Sequence, residues 1–233
     1  MTEAADARRA PELEPDPLVA QLAHLFPPLD RTARRIALAT YRLLARQDRA
    51  TPGEIATAAG VATGTVGEQI EIWPGVFRDG DGAVIGFWGL TGHAMPHRLT
   101  LSGGRARYTW CAWDALFIPD LLGTTAQVDS STPLDGRPVG LQVSPLGARP
   151  LDPGQPPLHV SFRLPAAAAW QEDVVTTFCH HVFFLFEDEV ARWLADHPGT
   201  VALPLDDAFR AGRQKNAHQF GRRAPAADPP SGF

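Results

Sequence analysis

Proline sets the limits on this fold. Twenty-two of the 233 residues are proline. A proline lacks the backbone N–H and has a fixed φ, so it interrupts helix interiors and central strands alike. The chain is thereby cut into short elements joined by turns, and no internal repeat relates one stretch to another. A chain of this length still buries a sizeable core, roughly 70% of its unfolded surface. Hydrophobic residues make up 44% of it and charged residues 20%, as in an ordinary globular protein. The net charge of −5 gives no basic field for nucleic acid or anionic membrane. No apolar run approaches the roughly 20 residues that a membrane span needs. The segment Met1-Thr2-Glu3-Ala4-Ala5-Asp6 has acids and no apolar centre, unlike a secretory leader. A reducing cytoplasm is the expected compartment, where a structural disulfide is the less favoured fate of a cysteine pair.

Residues 1–17 carry Pro11, Pro15 and Pro17 among charges and alanines, and are expected to form a flexible arm. From Arg31 to Gln47, Ala33, Ile36, Ala37, Thr40, Tyr41, Leu43 and Leu44 make one apolar stripe of a helix. Thr51-Pro52-Gly53-Glu54 is a capping pattern with proline at the first helical position. It opens a short helix that ends at Gly60, and a further helix runs from about Thr63 to Ile72. Asp79-Gly80-Asp81-Gly82 between apolar flanks marks a hairpin. Three helices and a hairpin have the outline of a winged helix over residues 18–88. The segment in the position of a recognition helix carries Glu68 and Glu71 and no Lys or Arg. DNA binding normally needs positive charge there, so a helical domain packed against the rest is the favoured expectation.

Residues 89–220 change texture. Arg98–Leu101 and Arg105–Trp110 alternate as strands around Ser102-Gly103-Gly104. A helix is expected from about Cys111 to Phe117, stopping near Pro119. Strands follow near Thr125–Asp129, Val139–Ser144 and Leu158–Arg163, and a helical pattern covers Ala166–Phe178. The block Val182–Phe186 reads equally as a buried strand or a helix start. Glu187–Ala195 and Pro204–Gln214 read as helices, and 221–233 as a flexible tail. The expected class is α+β: a winged-helix-like N-terminal part, then a short-stranded antiparallel sheet core with flanking helices.

Only two cysteines occur, Cys111 and Cys179. Cys111 stands in Trp110-Cys111-Ala112-Trp113-Asp114, and Cys179 in Thr177-Phe178-Cys179-His180-His181. Both stretches are aromatic and apolar. On a helix Cys111 and Asp114 would share a face as i and i+3. A carboxyl group in such surroundings has a raised pKa and can hold a proton for delivery. Two thiols are the soft donors that a thiophilic substrate demands. Competing readings are small buried hydrophobes, a zinc site drawing on His180 or His181, and Asp114 acting only as a helix cap or arginine partner. The zinc reading lacks a Cys-x-x-Cys pair.

The run Tyr108 to Pro119 resembles the first catalytic segment of the organomercurial (alkylmercury) lyases. Gly123–Val128 and Val139–Pro145 continue in that family's manner, and Thr177–Phe184 resembles its second catalytic segment. The resemblance spans roughly residues 30–220. It implies a catalytic trio of Cys111, Asp114 and Cys179, which would also hold the Hg(II) product, and no cofactor. Trp110, Trp113 and Phe178 would line the pocket for the organic group. The implied reaction is protonolysis of R–Hg(II) to R–H and Hg(II), with small thiols or a mercuric reductase accepting the metal. Many members have a cysteine in the loop occupied here by Ser131-Thr132-Pro133, and another directly after the second catalytic one, where His180 stands. A thiol-based mercury- or redox-responsive regulator and a non-catalytic metal-binding protein are the alternatives. Asp114 argues against mere sequestration, which needs no buried acid.

Overall fold

The computed structural model describes residues 15–163 and 177–221. The helical pattern expected over 166–178 lies almost wholly outside the described residues, as do the greater part of the expected arm and nearly all of the expected tail. Seven α-helices are described: α1 (Pro15–Ala23), α2 (Arg31–Leu44), α3 (Pro52–Ala59), α4 (Thr63–Ile72), α5 (Ala112–Leu122), α6 (Glu187–Asp196) and α7 (Leu205–Phe220). Helix α1 already begins inside the stretch expected to be an arm, and Leu18, Val19 and Leu22 bury its apolar side. Among the described residues, no helix is long and apolar enough to cross a membrane.

The strands of the described residues form two antiparallel sheets. The larger comprises β1 (Val76–Arg78), β2 (Val84–Phe87), β3 (Leu90–Thr91), β4 (His97–Leu101), β5 (Ala106–Thr109), β6 (Ala126–Ser131), β7 (Pro138–Ser144) and β8 (Gly147–Pro150). Its spatial order is β1-β2-β3-β5-β4-β6-β7-β8. The smaller places β9 (Leu158–Arg163) between β10 (Phe184–Phe186) and β11 (Thr200–Pro204). The mixed helix and antiparallel-sheet class expected from the sequence is therefore present. The ambiguous block 182–186 resolves as a strand, with Phe184 opposite Val160 and Phe186 opposite Leu158. The β1–β2 hairpin, expected within the N-terminal part, is continuous with the large sheet: β2 pairs with β3, and β3 with β5.

Local chemistry explains most of the N-terminal elements. Asp30 caps α2 by accepting from the Ala33 N–H at 2.8 Å. Thr51 and Glu54 complete a reciprocal capping box on α3. Asp79 Oδ1 accepts from the N–H groups of Asp81 and Ala83, both at 3.0 Å, which fixes the hairpin turn.

Two helix ends differ from expectation for tertiary reasons. Helix α5 continues through Pro119 to Leu122. Proline removes one intrahelical bond, but the run Ala112–Pro119 is buried on every side, and burial outweighs the local penalty. The true stop is Gly123, in the left-handed conformation at φ 65. Helix α7 runs on to Phe220, beyond the expected Gln214, because it packs against α1 and α5. Its approach to α5 is close: a Cβ on Gly212 would stand 2.8 Å from Phe117 Cβ. One apolar core extends from Leu18 to Phe220 among the described residues, and α5 lies at its centre against α2, α7, β4, β5 and β7.

Candidate active site

The site forms where strand β5 turns into helix α5. Cys111 is not in the helix but caps it, with φ −144 and ψ 168. Asp114, at the third helical position, reaches back so that its Oδ2 accepts from the Cys111 N–H at 3.1 Å. The same oxygen accepts from the Cys111 thiol, also at 3.1 Å. The expected i, i+3 proximity is therefore real, but it arises from a capping box and not from a shared helix face. Capping and thiol contact are one arrangement here, not alternatives.

Cys179 opens a 3₁₀ turn, Cys179–His181. That turn is tied to the smaller sheet and to α5. The Ser161 hydroxyl on β9 donates to the His181 carbonyl at 2.9 Å and accepts from the Phe183 N–H at 3.0 Å. The Ala112 N–H donates to the Val182 carbonyl at 3.2 Å, which joins the two cysteine-bearing segments directly. As a result one donor atom each from Cys111, Asp114 and Cys179 lies within 4.8 Å of the others. Neither cysteine is in a disulfide, and all three residues are buried. His180 is exposed, and neither it nor His181 belongs to this cluster.

Burial dominates the electrostatics. It raises the Asp114 carboxyl from its usual 3.8 to about 7, against the lowering effects of the Cys111 hydrogen bonds and of Lys215. It also pushes the Cys111 thiol well up, helped by the hydrogen bond with Cys179 and the charge of Asp114. The folded protein thus holds a proton on Asp114 over a pH range in which the unfolded chain has released it. That contribution to stability is complete below about pH 4 and is lost as pH rises to about 7. Asp114→Asn lacks it. Melting curves should therefore show the variant gaining on the wild type between about pH 4 and pH 7; a constant difference across that window would contradict a raised carboxyl.

A cavity of about 30 Å³ adjoins the cluster. Trp110, Trp113 and Phe178 all line it, together with Trp88, Phe117 and Lys215. Trp113 is also a core residue: its Nε1–H donates to the Ala208 carbonyl at 2.9 Å, and its ring meets Phe117, Phe162 and Phe178 edge-on.

Sequence reasoning missed three contributors. Trp88 and Gly89 form a turn that presses on the acid. Trp88 has φ 39, the only non-glycine positive φ among the described residues. Such a conformation costs about 1–3 kcal/mol. It is held by the Tyr41 hydroxyl donating to the Trp88 carbonyl at 2.8 Å and by Trp88 Nε1–H donating to the Pro74 carbonyl at 2.9 Å. Gly89 has φ 96, and a Cβ there would stand 2.6 and 2.7 Å from the two carboxylate oxygens of Asp114. Gly89→Ala should therefore displace the carboxylate, slow the proton transfer derived below by at least about tenfold, and lower the melting temperature. Unchanged activity would show that the acid tolerates a second position. Lys215, the third contributor, is buried on α7. The only sequence cue was the Trp88-Gly89 pair; nothing in the polar run around Lys215 betrayed its burial.

The family model for MerB, alkylmercury lyase, matches residues 90–215. An alkylmercury lyase of Pseudomonas putida is 38% identical over 160 residues, covering 66% of this chain and 72% of that protein. An alkylmercury lyase of Staphylococcus epidermidis is 33% identical over 177 residues, covering 76% and 79%. The crystal structure of the mercury-bound form of MerB2 aligns with a TM-score of 0.66 at 19% identity, over 87% of this chain and 98% of that one, which speaks for the fold alone. By the family match and these relatives together, the chain belongs to the alkylmercury lyases.

Proposed function

We propose that Cys111, Asp114 and Cys179 carry the reaction of this alkylmercury lyase, the cleavage of a carbon–mercury bond. The observation that supports this most is the shared Asp114 oxygen, which accepts from the Cys111 thiol at 3.1 Å while Cys179 completes a cluster within 4.8 Å.

In the free site the Cys111 thiol is neutral, because burial disfavours its thiolate. R–Hg–X first meets the Cys179 thiol: a sulfur–mercury bond replaces the mercury–X bond, and the thiol proton leaves on the displaced ligand as HX. With the Asp114 carboxyl at about 7, its carboxylate form, already in hydrogen-bond contact, can accept the Cys111 proton. Its transfer gives a second thiolate for mercury and a carboxylic acid beside it. Two sulfur donors make the mercury-bound carbon electron-rich. The carbon then takes the carbon–mercury electron pair and the Asp114 proton, and leaves as R–H. Hg(II) stays on the two sulfurs, with Asp114 again a carboxylate. Mercury is substrate and product throughout, and no cofactor is required. Trp110, Trp113 and Phe178 offer the organic group apolar walls.

Small thiols or a mercuric reductase are the proposed acceptors of Hg(II), and the cytoplasm the proposed compartment. The winged-helix reading of helices α2–α4 and the β1–β2 hairpin is part of this proposal, with support of the site as its role. Tyr41 on α2 holds the Trp88 turn, and α4 carries no Lys or Arg, so no nucleic-acid partner is proposed.

The test is incubation with phenylmercury and an excess of small thiol, with benzene measured by gas chromatography. Benzene in multiple equivalents per protein is the expected result. Stoichiometric mercury binding without benzene would reject catalysis and favour a metal-binding protein.

A further inference from the structure

Lys215 is an unusual residue to bury. It is 2% exposed, and burial lowers the pKa of its ammonium while the charges of Asp114 and Cys111 act to raise it. Its Nζ lies 3.9 Å from the Phe117 ring centroid, 5.4 Å from that of Phe26 and 5.6 Å from that of Phe220. Lys215 lines the same cavity as Asp114 and Cys179. Aromatic faces offset part of the cost of removing an ammonium from water, yet an apolar side chain would meet those rings at no such cost. Packing alone therefore does not account for a lysine here.

The neighbouring residues on α7 make its placement rigid. Asn216 donates from Nδ2 to the Phe117 carbonyl at 3.0 Å and to Asp120 Oδ2 at 2.8 Å. Gly212 lets the helix close onto α5. The stretch that carries Lys215 is thus clamped to the helix that carries Asp114.

We propose that Lys215 is the positioning residue of the proton transfer, a buried side chain of the Asp114 cavity whose ammonium form balances the charge that Asp114 acquires when its proton leaves. The inference rests on Asp114 being the proton donor. In that step the carbon gains the proton and the bond pair, mercury keeps both sulfurs, and a buried carboxylate replaces a buried acid. Without a cation nearby, the carboxylate would form uncompensated in an apolar site, where such a charge is most costly. With Lys215 present, the acid releases its proton more readily and the product state is paired.

The test is Lys215→Met, with Lys215→Gln as the second variant should the first misfold. Single-turnover release of benzene from the preformed phenylmercury complex is measured, with mercury bound per protein and the melting temperature. The expected result is release slowed by about 10–100-fold, mercury retained at one per protein, and a melting temperature equal to or above wild type. In the cycle with Asp114→Asn, the double variant should release benzene no more slowly than Asp114→Asn alone. Wild-type release by Lys215→Met, or effects that multiply in the double variant, would overturn the proposal. If instead Asp114→Asn itself releases benzene at the wild-type rate, the assignment of the proton donor fails, an outcome read separately from the Lys215 series.

Discussion

Replacing Cys111 or Cys179 with alanine is expected to abolish turnover while leaving a folded protein. The stability cost should be about 1 kcal/mol, the usual size for a point substitution. Removing either thiol leaves the Asp114 cap on α5 intact, because its Oδ2 still accepts from the backbone N–H of residue 111. The catalytic cost is of another order. A single sulfur can capture R–Hg(II), but it cannot give the two-sulfur donation that makes the carbon basic. The two variants should also differ from each other. Cys111→Ala removes the thiol whose proton Asp114 accepts; Cys179→Ala leaves that pair in place and removes the second donor. Both should still bind one organomercury through the remaining sulfur, as mass spectrometry of the intact protein would read. Near wild-type benzene production by either variant would defeat the two-thiolate mechanism and leave capture at one site.

The cysteine segments were legible because their signal is local and chemical. Two thiols and an acid stand among aromatics in an otherwise unremarkable chain, and Asp114 follows Cys111 at the spacing of a capping box. The hairpin at Asp79–Ala83 and the Thr51 cap were legible for the same reason: the residues that define them are within four positions of each other. What was not legible depends on contacts far apart in sequence. Strand β3 has only two residues, and it exists because Leu90 and Thr91 fit between β2 and β5. Gly89 is one glycine among many until the Asp114 carboxylate is seen against it. Between Phe209 and Phe220, helix α7 turns Ala211, Gly212, Lys215, Asn216 and Gln219 inward. That stretch is small or polar where periodicity would look for large apolar residues, so the second half of the buried face of α7 was not legible. Pro119 misled in the opposite sense, since a local helix breaker was overridden by burial of the whole helix.

Asp114→Asn should separate mercury binding from carbon–mercury cleavage. The amide keeps the shape of the side chain and can still accept from the Cys111 N–H, so α5 and both thiols should stay where they are. What it cannot do is take the Cys111 proton or deliver one to carbon. A placed general acid is typically worth about 10²–10⁴-fold, equivalent to about 3–5 kcal/mol of barrier. Release of R–H from a stoichiometric complex should slow by at least that lower bound, with Hg or R–Hg retained at one per protein. The decline should not be total, because water entering the cavity can supply a proton inefficiently. The burial that raises the carboxyl to about 7 adds a second signature. In the wild type, release from the preformed complex should fall as pH rises above neutrality, since the acid form is then depleted. Asp114→Asn should show no such limb. Release by Asp114→Asn at the wild-type rate, with the limb intact, would take Asp114 out of the mechanism and pass the donor role to a cysteine thiol, His180 or His181. Because both histidines stand outside the cluster, that outcome would also require the site to rearrange when mercury binds.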